Sequence, residues 1–287
     1  MNSKKQNNFL FIGIKKLLKK STIYRQIQRK KSLRKTRALV DILHSSGIIV
    51  EKERNRISFR YTINNNSFLF QLKKNSSDSS VFQQIIMQKE YEVIIDFFQK
   101  NKKPLVNMVD AGANIGLTSI FFKAYFPNSF ILALEPSKDT FDRLIINIES
   151  NMLNDVICLN KGLWSHRTFL SPDSNFRDGR DWAFRLTDAP EHKCRSFEAV
   201  SIPDLIKEYH LECIDFLKID IEGGEASVFS EKADLSWLTK VKVLAMEIHD
   251  EFNCRTSIEN ILLKFDYSIS VSGEITIGIN NKFLPSL

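Results

Sequence analysis

From Leu105 to the carboxyl end, short apolar runs alternate with stretches in which apolar residues recur every third or fourth position. Short runs of this kind read as buried strands, and the longer period reads as helix. The spacing predicts strands over 106–111, 130–134, 156–161, 214–220, 241–247, 267–271 and 275–279. Helices are expected over 117–126, 138–151, 202–210, 224–232 and 256–265. Strands linked through helices lie parallel, with the crossovers covering both faces of one sheet. Only Ser272-Gly273-Glu274 separates the last two strands, too little for a crossover, so they form an antiparallel hairpin at the end of the sheet. The fold class is therefore α/β, with a mostly parallel seven-stranded sheet, a terminal reversed hairpin and helices on both faces.

Before Leu105 the pattern changes. Alternating apolar residues between Arg56 and Leu72, around Asn64-Asn65-Asn66, predict a β-hairpin. After a polar loop, 81–100 reads as one helix burying Ile85, Ile86, Ile94, Ile95, Phe97 and Phe98. We read 1–45 as an arm, 46–104 as a hairpin-and-helix cap and 105–287 as the main domain, interrupted by an insertion over 163–200. That insertion is rich in Arg, Asp and aromatic residues, including Arg167, Phe169, Trp182 and Arg185. Long connections in compact domains are commonly functional. It is expected to be a substrate-side flap, the plainer account being an edge hairpin packed on the sheet.

Charge separates the arm from the body. The 287 residues carry a net charge of +7, yet 13 of the 41 Lys and Arg lie between Lys4 and Arg37, where there is no acid. The other 28 face 34 Asp and Glu, so the body is acidic at −6. Residues 9–20 set Leu10, Ile14, Leu17 and Leu18 on one helical face beside lysines. A helix of that kind can lie on an anionic membrane surface or pack on the body. Its apolar stretch is too short to span a bilayer, and no cleavage site follows it. The expected location is the cytoplasm, peripheral to the inner membrane face where residues 1–37 meet lipid. Four cysteines, Cys158, Cys194, Cys213 and Cys254, form no Cys-x-x-Cys pair, which argues against a zinc site or a disulfide framework.

The chemistry concentrates at strand ends. Met108-Val-Asp110-Ala-Gly112-Ala-Asn114-Ile-Gly116 is an apolar strand running through a glycine loop into a helix. It lacks the second and third glycines of a dinucleotide fingerprint and the Gly-Lys-Ser/Thr ending of a P-loop. What remains, Asp-x-Gly-x-Asn-x-Gly, resembles the first motif of Rossmann-like S-adenosylmethionine-dependent methyltransferases. The next strand ends in Glu135-Pro136, where an acid can accept hydrogen bonds from ribose hydroxyls. The cofactor-binding candidates are thus Asp110, Gly112, Asn114, Gly116 and Glu135.

A second cluster, Asp215-Phe-Leu-Lys218-Ile-Asp220-Ile-Glu222-Gly-Gly-Glu225, places charges within an apolar strand, where unpaired charge is costly. Alternation puts Lys218, Asp220 and Glu222 on one side wherever the strand is regular. The following strand ends in Glu247-Ile-His249 and should bring both groups towards Asp220 and Glu222. The glycine loop, Leu-Glu-Pro, Leu-Lys-Ile-Asp-Ile-Glu-Gly-Gly-Glu and Glu-Ile-His, in this order over roughly 81–279, resemble the FkbM family of methyltransferases. Ser77 to Phe82 and Glu90-Tyr91 also resemble the segment before the glycine loop in that family. The resemblance implies the class I methyltransferase form of the fold, S-adenosylmethionine as cofactor and O-methylation, commonly of sugars, glycolipids or natural products. We expect a saccharide or glycolipid/polysaccharide-precursor acceptor.

The acceptor proton would go to Asp220 or His249, with Lys218 and Glu222 holding the base and the acceptor; Asp220 is the better embedded of the two. Asp220, Glu222, Glu247 and His249 also carry possible metal-donor atoms, but spacing does not show that they converge, and no metal is assigned. Two competing classes stand beside this reading. A nucleic-acid methyltransferase would use the basic arm, but the body is acidic and lacks the Asn/Asp-Pro-Pro-aromatic sequence, so nucleic acid is not favoured. A non-catalytic scaffold would leave the acid cluster unexplained.

Overall fold

In the computed structural model, the chain is described over residues 22–172, 186–188 and 196–283. The apolar–basic face of 9–20 and Trp182 and Arg185 of the insertion lie outside these residues. Helix α1 (Thr22–Ser45) leads into strands β1 (Val50–Lys52), β2 (Arg56–Ile63) and β3 (Asn66–Lys73), which form a three-stranded antiparallel sheet in that order. Asn64 and Asn65 both take positive φ at the β2–β3 turn, pairing Ile63 with Asn66. Asn tolerates that conformation better than other side chains, and such tight turns match the twist of the strands they join. The hairpin was legible in the sequence. The short β1 was not.

The single helix expected over 81–100 is broken into three pieces. Helix α2 (Asp78–Phe82) passes into a π-helical turn over Gln83–Met87, and α3 (Glu92–Lys100) begins only after Lys89 has adopted φ +53°. The Gln84 side chain donates to Glu90 Oε1 at 2.6 Å across the break. Tyr91 follows as a buried residue at the start of α3. Ile85, Ile86, Ile94, Ile95 and Phe98 are buried as expected, while Phe97 is only partly so.

The main sheet follows the expected pattern closely. Strand β4 (Asn107–Ala111), helix α4 (Leu117–Tyr125), β5 (Phe130–Leu134), α5 (Lys138–Ser150) and β6 (Val156–Leu159) form its first half. Then come β7 (Gly162–Leu163), β8 (Thr168–Pro172), β9 (Leu186–Asp188) and β10 (Phe197–Val200), which form a separate four-stranded sheet in the order β7-β10-β8-β9. Thus the described part of the insertion is mostly sheet. In the insertion, Arg167 donates to Glu198 at 2.9 Å and to Glu208 at 2.7 Å, so its guanidinium is held at the surface by acids of the same chain.

Helix α6 (Ile202–Glu208), β11 (Ile214–Ile219), α7 (Glu225–Val228), β12 (Val241–Glu247), α8 (Arg255–Lys264), β13 (Tyr267–Ser272) and β14 (Ile275–Asn280) complete the chain. The helix expected over 224–232 is one turn long. The seven-stranded sheet has the order β13-β14-β12-β11-β4-β5-β6, parallel except for β14, which runs antiparallel to both of its neighbours. No described helix is long and apolar enough to cross a membrane.

Period-two burial divides the core into two faces. Met108, Ile131, Ala133, Phe216, Val243 and Ala245 belong to one buried cluster. Their strand neighbours Val109, Leu132, Leu134, Leu217 and Leu244 belong to the other. The first cluster continues into the cap through Leu39, Phe59, Phe70 and Phe82, so cap and sheet share one apolar interior. The second is covered by α6 and α8 through Ile202, Leu205, Ile258 and Leu262.

Polar contacts fix how the cap sits. Asn151, at the carboxyl-terminal cap of α5, accepts from Leu69 N at 2.7 Å and donates to Leu69 O at 2.8 Å, as a neighbouring strand would. One turn earlier, Asn147 accepts from Gln71 N at 2.9 Å and donates to Ile115 O at 2.9 Å. Two side chains on one helix face thereby close the β3 edge and tie it to the glycine loop. Asp78, buried in the cap, takes two guanidinium contacts from Arg143 at 2.6–2.7 Å. Replacing Asn147 by Ala would orphan the part-buried Gln71 N–H and the buried Ile115 carbonyl. The expected loss is about 2 kcal/mol of unfolding free energy, read by urea denaturation. An unchanged midpoint would show that the strand-mimicking contacts do not hold the cap.

Candidate active site

The carboxyl ends of β4, β5, β11 and β12 meet at one edge, the usual ligand-binding edge of an open parallel sheet. The loop after β4 folds back on β5: Gly112 N and Ala113 N both donate to Leu134 O, at 3.0 and 2.8 Å. Gly116 takes φ +87° at the start of α4. A methyl group on Gly112 would lie 1.8 Å from Asp220 O, and one on Gly116 would lie 2.7 Å from Leu144 Cδ1. These glycines therefore let the loop pack against β11 and α5 as well as turn.

Asp110 is fully buried beneath the loop. Its Oδ2 accepts from Ser119 Oγ at 2.7 Å, and its Oδ1 lies 3.4 Å from Lys218 Nζ. Glu135, also buried, accepts from Asn114 N at 3.1 Å and Ser137 N at 2.9 Å, and Asn160 pins the following turn by donating to Glu135 O at 2.8 Å. Burial pushes the Glu135 carboxyl up to about 7 despite those two N–H donors. Asn160 was not singled out in the sequence, because a lone Asn after a strand carries no distinguishing pattern.

Lys218 points inward from the middle of the sheet. Its ammonium donates to Gly112 O at 2.6 Å and lies 3.5 Å from Asp220 Oδ2. Burial works against its charge, but Asp220 and Asp110 outweigh that and keep its pKa above the ordinary lysine value. The backbone of Asp220 is tied to the same junction, donating to Ala111 O at 3.1 Å. Regular strand geometry stops at Ile219, and Glu222 and Gly223 then take φ +53° and +98°. So the alternation that relates Lys218 to Asp220 does not extend to Glu222, which is placed by a turn.

That turn brings Glu222 to His249. His249 Nε2 lies 3.3 Å from Glu222 Oε2 and 3.9 Å from Glu247 Oε1. Its Nδ1 lies 3.0 Å from Oε1 of Glu225, which is fully buried at the start of α7. Hydrogen bonds to Glu222 and Glu225 raise the imidazole to about 11, while burial, together with Asp220, raises Glu247 to about 7. One donor atom each from Asp220, Glu222 and His249 lies within 4.8 Å of the others. Of the four possible donors whose convergence spacing left open, these three converge and Glu247 is not part of the set. Glu225 belongs to the quoted sequence cluster but carried no assigned role, and only the fold shows that it backs the imidazole. The cap also faces this site: Glu90 and Tyr91 are close enough for Asp220 to raise the pKa of each, behind the larger effect of burial.

The family model of the methyltransferase FkbM domain matches residues 110–269, which hold all of these strand ends. The chain belongs to the FkbM methyltransferase family. Among curated relatives, the chain is similar to the methyltransferase sdnD of Sordaria araneosa, 31% identical over 188 residues, spanning 54% of this chain and 71% of that protein. It is also similar to Methyltransferase 1 of Beauveria bassiana, 26% identical over 162 residues, spanning 45% of this chain and 59% of that one. Solved structures that resemble it include a precorrin-6y C5,15-methyltransferase from Geobacter metallireducens. That one is 15% identical with TM-score 0.38, over 66% of this chain and 85% of that one. Another is the magnesium protoporphyrin IX methyltransferase of Synechocystis with bound S-adenosylmethionine, 11% identical with TM-score 0.39, over 68% and 80%.

This FkbM methyltransferase uses S-adenosylmethionine as methyl donor. Its residues fit that group. Glu135 is a buried carboxylate at a strand end, held only by two backbone N–H groups, with no ion-pair partner in contact among the described residues. A buried acceptor of that kind suits paired hydroxyl donors.

Replacing Lys218 by Met would leave the Asp110 and Asp220 carboxylates facing each other at the loop junction. The expected cost is about 3–5 kcal/mol of stability, read by denaturant unfolding. A loss below about 1 kcal/mol would place Lys218 outside the set of interactions that hold the loops.

Proposed function

We propose that this FkbM methyltransferase methylates a hydroxyl of a saccharide or of a glycolipid/polysaccharide precursor, with Asp220 as the group that takes the hydroxyl proton. When bound, S-adenosylmethionine supplies an activated methyl group, so the chain's own work is alignment and proton handling. The observation that carries the reading is the position of Asp220. Its backbone is bonded to the end of β4, and its carboxylate lies beside the Lys218 ammonium and opens onto the acid–imidazole cluster.

Lys218, 3.5 Å from the aspartate and bonded to Gly112 O, fixes the distance of Asp220 from the glycine loop. His249 is already hydrogen-bonded through both ring nitrogens, with an imidazole pKa near 11, so it suits orientation and charge balance better than proton removal. Of the two bases left open by the sequence, this favours Asp220. Asp110, Gly112 and Gly116 shape the cofactor loop from beneath, while Asn114 and Glu135 face each other across its rim. The acidic surroundings of Asp220 also repel a phosphate backbone, which supports a sugar hydroxyl over a nucleic-acid acceptor. A location at the inner membrane face would follow from the basic residues 1–37 and remains part of the same proposal.

Two measurements test this. Asp220→Asn, assayed against hydroxylated glycans by release of S-adenosylhomocysteine, should lose about 10²–10⁴-fold in turnover. Its affinity for S-adenosylmethionine by calorimetry should change little. Turnover near wild type would remove Asp220 from the proton step.

The second concerns Glu135. Its carboxyl is raised to about 7, so it carries a proton below that pH, whereas ribose hydroxyls need the carboxylate as acceptor. Affinity for S-adenosylmethionine should therefore level off above about pH 7 and fall about tenfold for each pH unit below it. Glu135→Gln should bind more weakly and lose the pH dependence. A wild-type affinity flat from pH 5 to pH 8 would show that Glu135 does not hold the cofactor.

A further inference from the structure

The acid–imidazole cluster has more negative charge than its neighbours balance. Asp220, Glu222, Glu225 and Glu247 gather around His249, and the nearby Lys218 ammonium already serves Gly112 O and Asp110. Resting on the methyl-transfer reading of this same site, we propose that Asp220, Glu222 and His249 bind one divalent cation of the Mn²⁺ type at the place where the acceptor hydroxyl lies.

The geometry suits a shared cation. Octahedral coordination with bonds of ~2.1 Å separates adjacent donor atoms by about 3.0 Å, and a tetrahedral Zn²⁺ site gives about 3.3 Å. Glu222 Oε2 and His249 Nε2 are 3.3 Å apart, and all three donor atoms lie within 4.8 Å. The donors are oxygen and imidazole nitrogen without thiolate, a combination that suits first-row divalent ions.

Glu225 is the independent observation. It is fully buried, its Oε1 lies 3.0 Å from His249 Nδ1, and its Oε2 has no hydrogen-bond partner among the described residues. A carboxylate behind one nitrogen of a histidine fixes the tautomer that presents the other nitrogen as a ligand. Here that other nitrogen, Nε2, is the one aimed at Glu222 and Glu247, and the cation takes the place of the proton that Nε2 shares with Glu222. Glu247, at 3.9 Å, is near enough to hold a bound water without joining the first three donors. A cation so placed acidifies a bound hydroxyl, which eases the task given to Asp220.

The test is titration of the full chain with MnCl₂ alone, followed by the loss of the free-ion electron paramagnetic resonance signal. Calorimetry with S-adenosylmethionine is run on the same samples. One Mn²⁺ should bind per chain, Glu222→Gln should weaken it at least tenfold, and Glu225→Gln should weaken it about 10–100-fold. S-adenosylmethionine binding by these variants shows that they are folded. Glu222 is a partly exposed turn residue, so its variant keeps the test valid even if Glu225→Gln fails to fold. An unchanged free-ion signal from protein that binds S-adenosylmethionine overturns the cation site and leaves the methyl-transfer reading standing. Mn²⁺ binding undiminished in Glu222→Gln also overturns it, since the ion then sits elsewhere. Mn²⁺ binding that requires Glu222, in protein that fails to bind S-adenosylmethionine, supports the cation site and counts against the methyl-transfer reading.

Discussion

The buried ammonium of Lys218 is the contact on which the site depends. It lies in the central strand of the sheet, where an unpaired charge would be far too costly to keep, and three oxygens converge on it. One is a carbonyl of the glycine loop, one a carboxylate beneath that loop, and one the carboxylate of Asp220. Neither loop can move without leaving this charge uncompensated. The 1.8 Å that would separate a Gly112 methyl from Asp220 O shows how closely the two loops are pressed together. In this arrangement the glycine loop and Asp220 are one rigid unit, which is what a reaction governed by alignment requires.

The cap extends that rigidity outward. Asn147 bonds both the β3 edge and Ile115 O, so the helix after β5 joins the cap sheet to the glycine loop through one side chain. Asp78 and Arg143 form a second link between the same helix and α2. Beneath them Phe82 packs edge-to-face on Phe59 and on Phe70, each at 5.0 Å, within the core that the cap shares with the sheet. The break at Lys89 then delivers Glu90 and Tyr91 towards Asp220, where one continuous helix would have carried them along its own axis. Strand β3 and α2 together hold the cap in register with the catalytic edge.

Much of the fold was legible because burial in a parallel sheet imposes simple patterns. All seven strands of the main sheet and the reversed terminal pair could be read from apolar runs and one short connection. Boundaries failed where a single backbone conformation decides them. Lys89 and Glu222 take positive φ, which no local pattern announces in such residues, and α7 ends after one turn where propensity allowed more. The site residues were nameable because charged residues in apolar strands are conspicuous. Their partners were not, since whether Asp110 meets a ligand or Ser119, or whether Glu225 backs His249, depends on contacts between segments far apart in the chain.

The distribution of charge bears on what can enter the site. Lys218 is the only cation buried at the junction among the described residues, and its hydrogen bonds are already taken. Carboxylates dominate the surroundings of Asp220, with His249 set between two of them. An anionic acceptor would therefore be repelled unless a second cation, such as the divalent ion proposed above, sat beside it. A neutral sugar ring faces no such barrier and can donate hydroxyl hydrogens to several of these oxygens. The positive charge of the chain lies instead in residues 4–37, in sequence far from the catalytic strands. If those residues meet an anionic surface, they bring the acidic site near lipid without placing phosphate inside it. Under the function proposed above, repulsion at the site and attraction at the arm would together favour an acceptor with a neutral sugar part and an anionic or membrane-bound remainder.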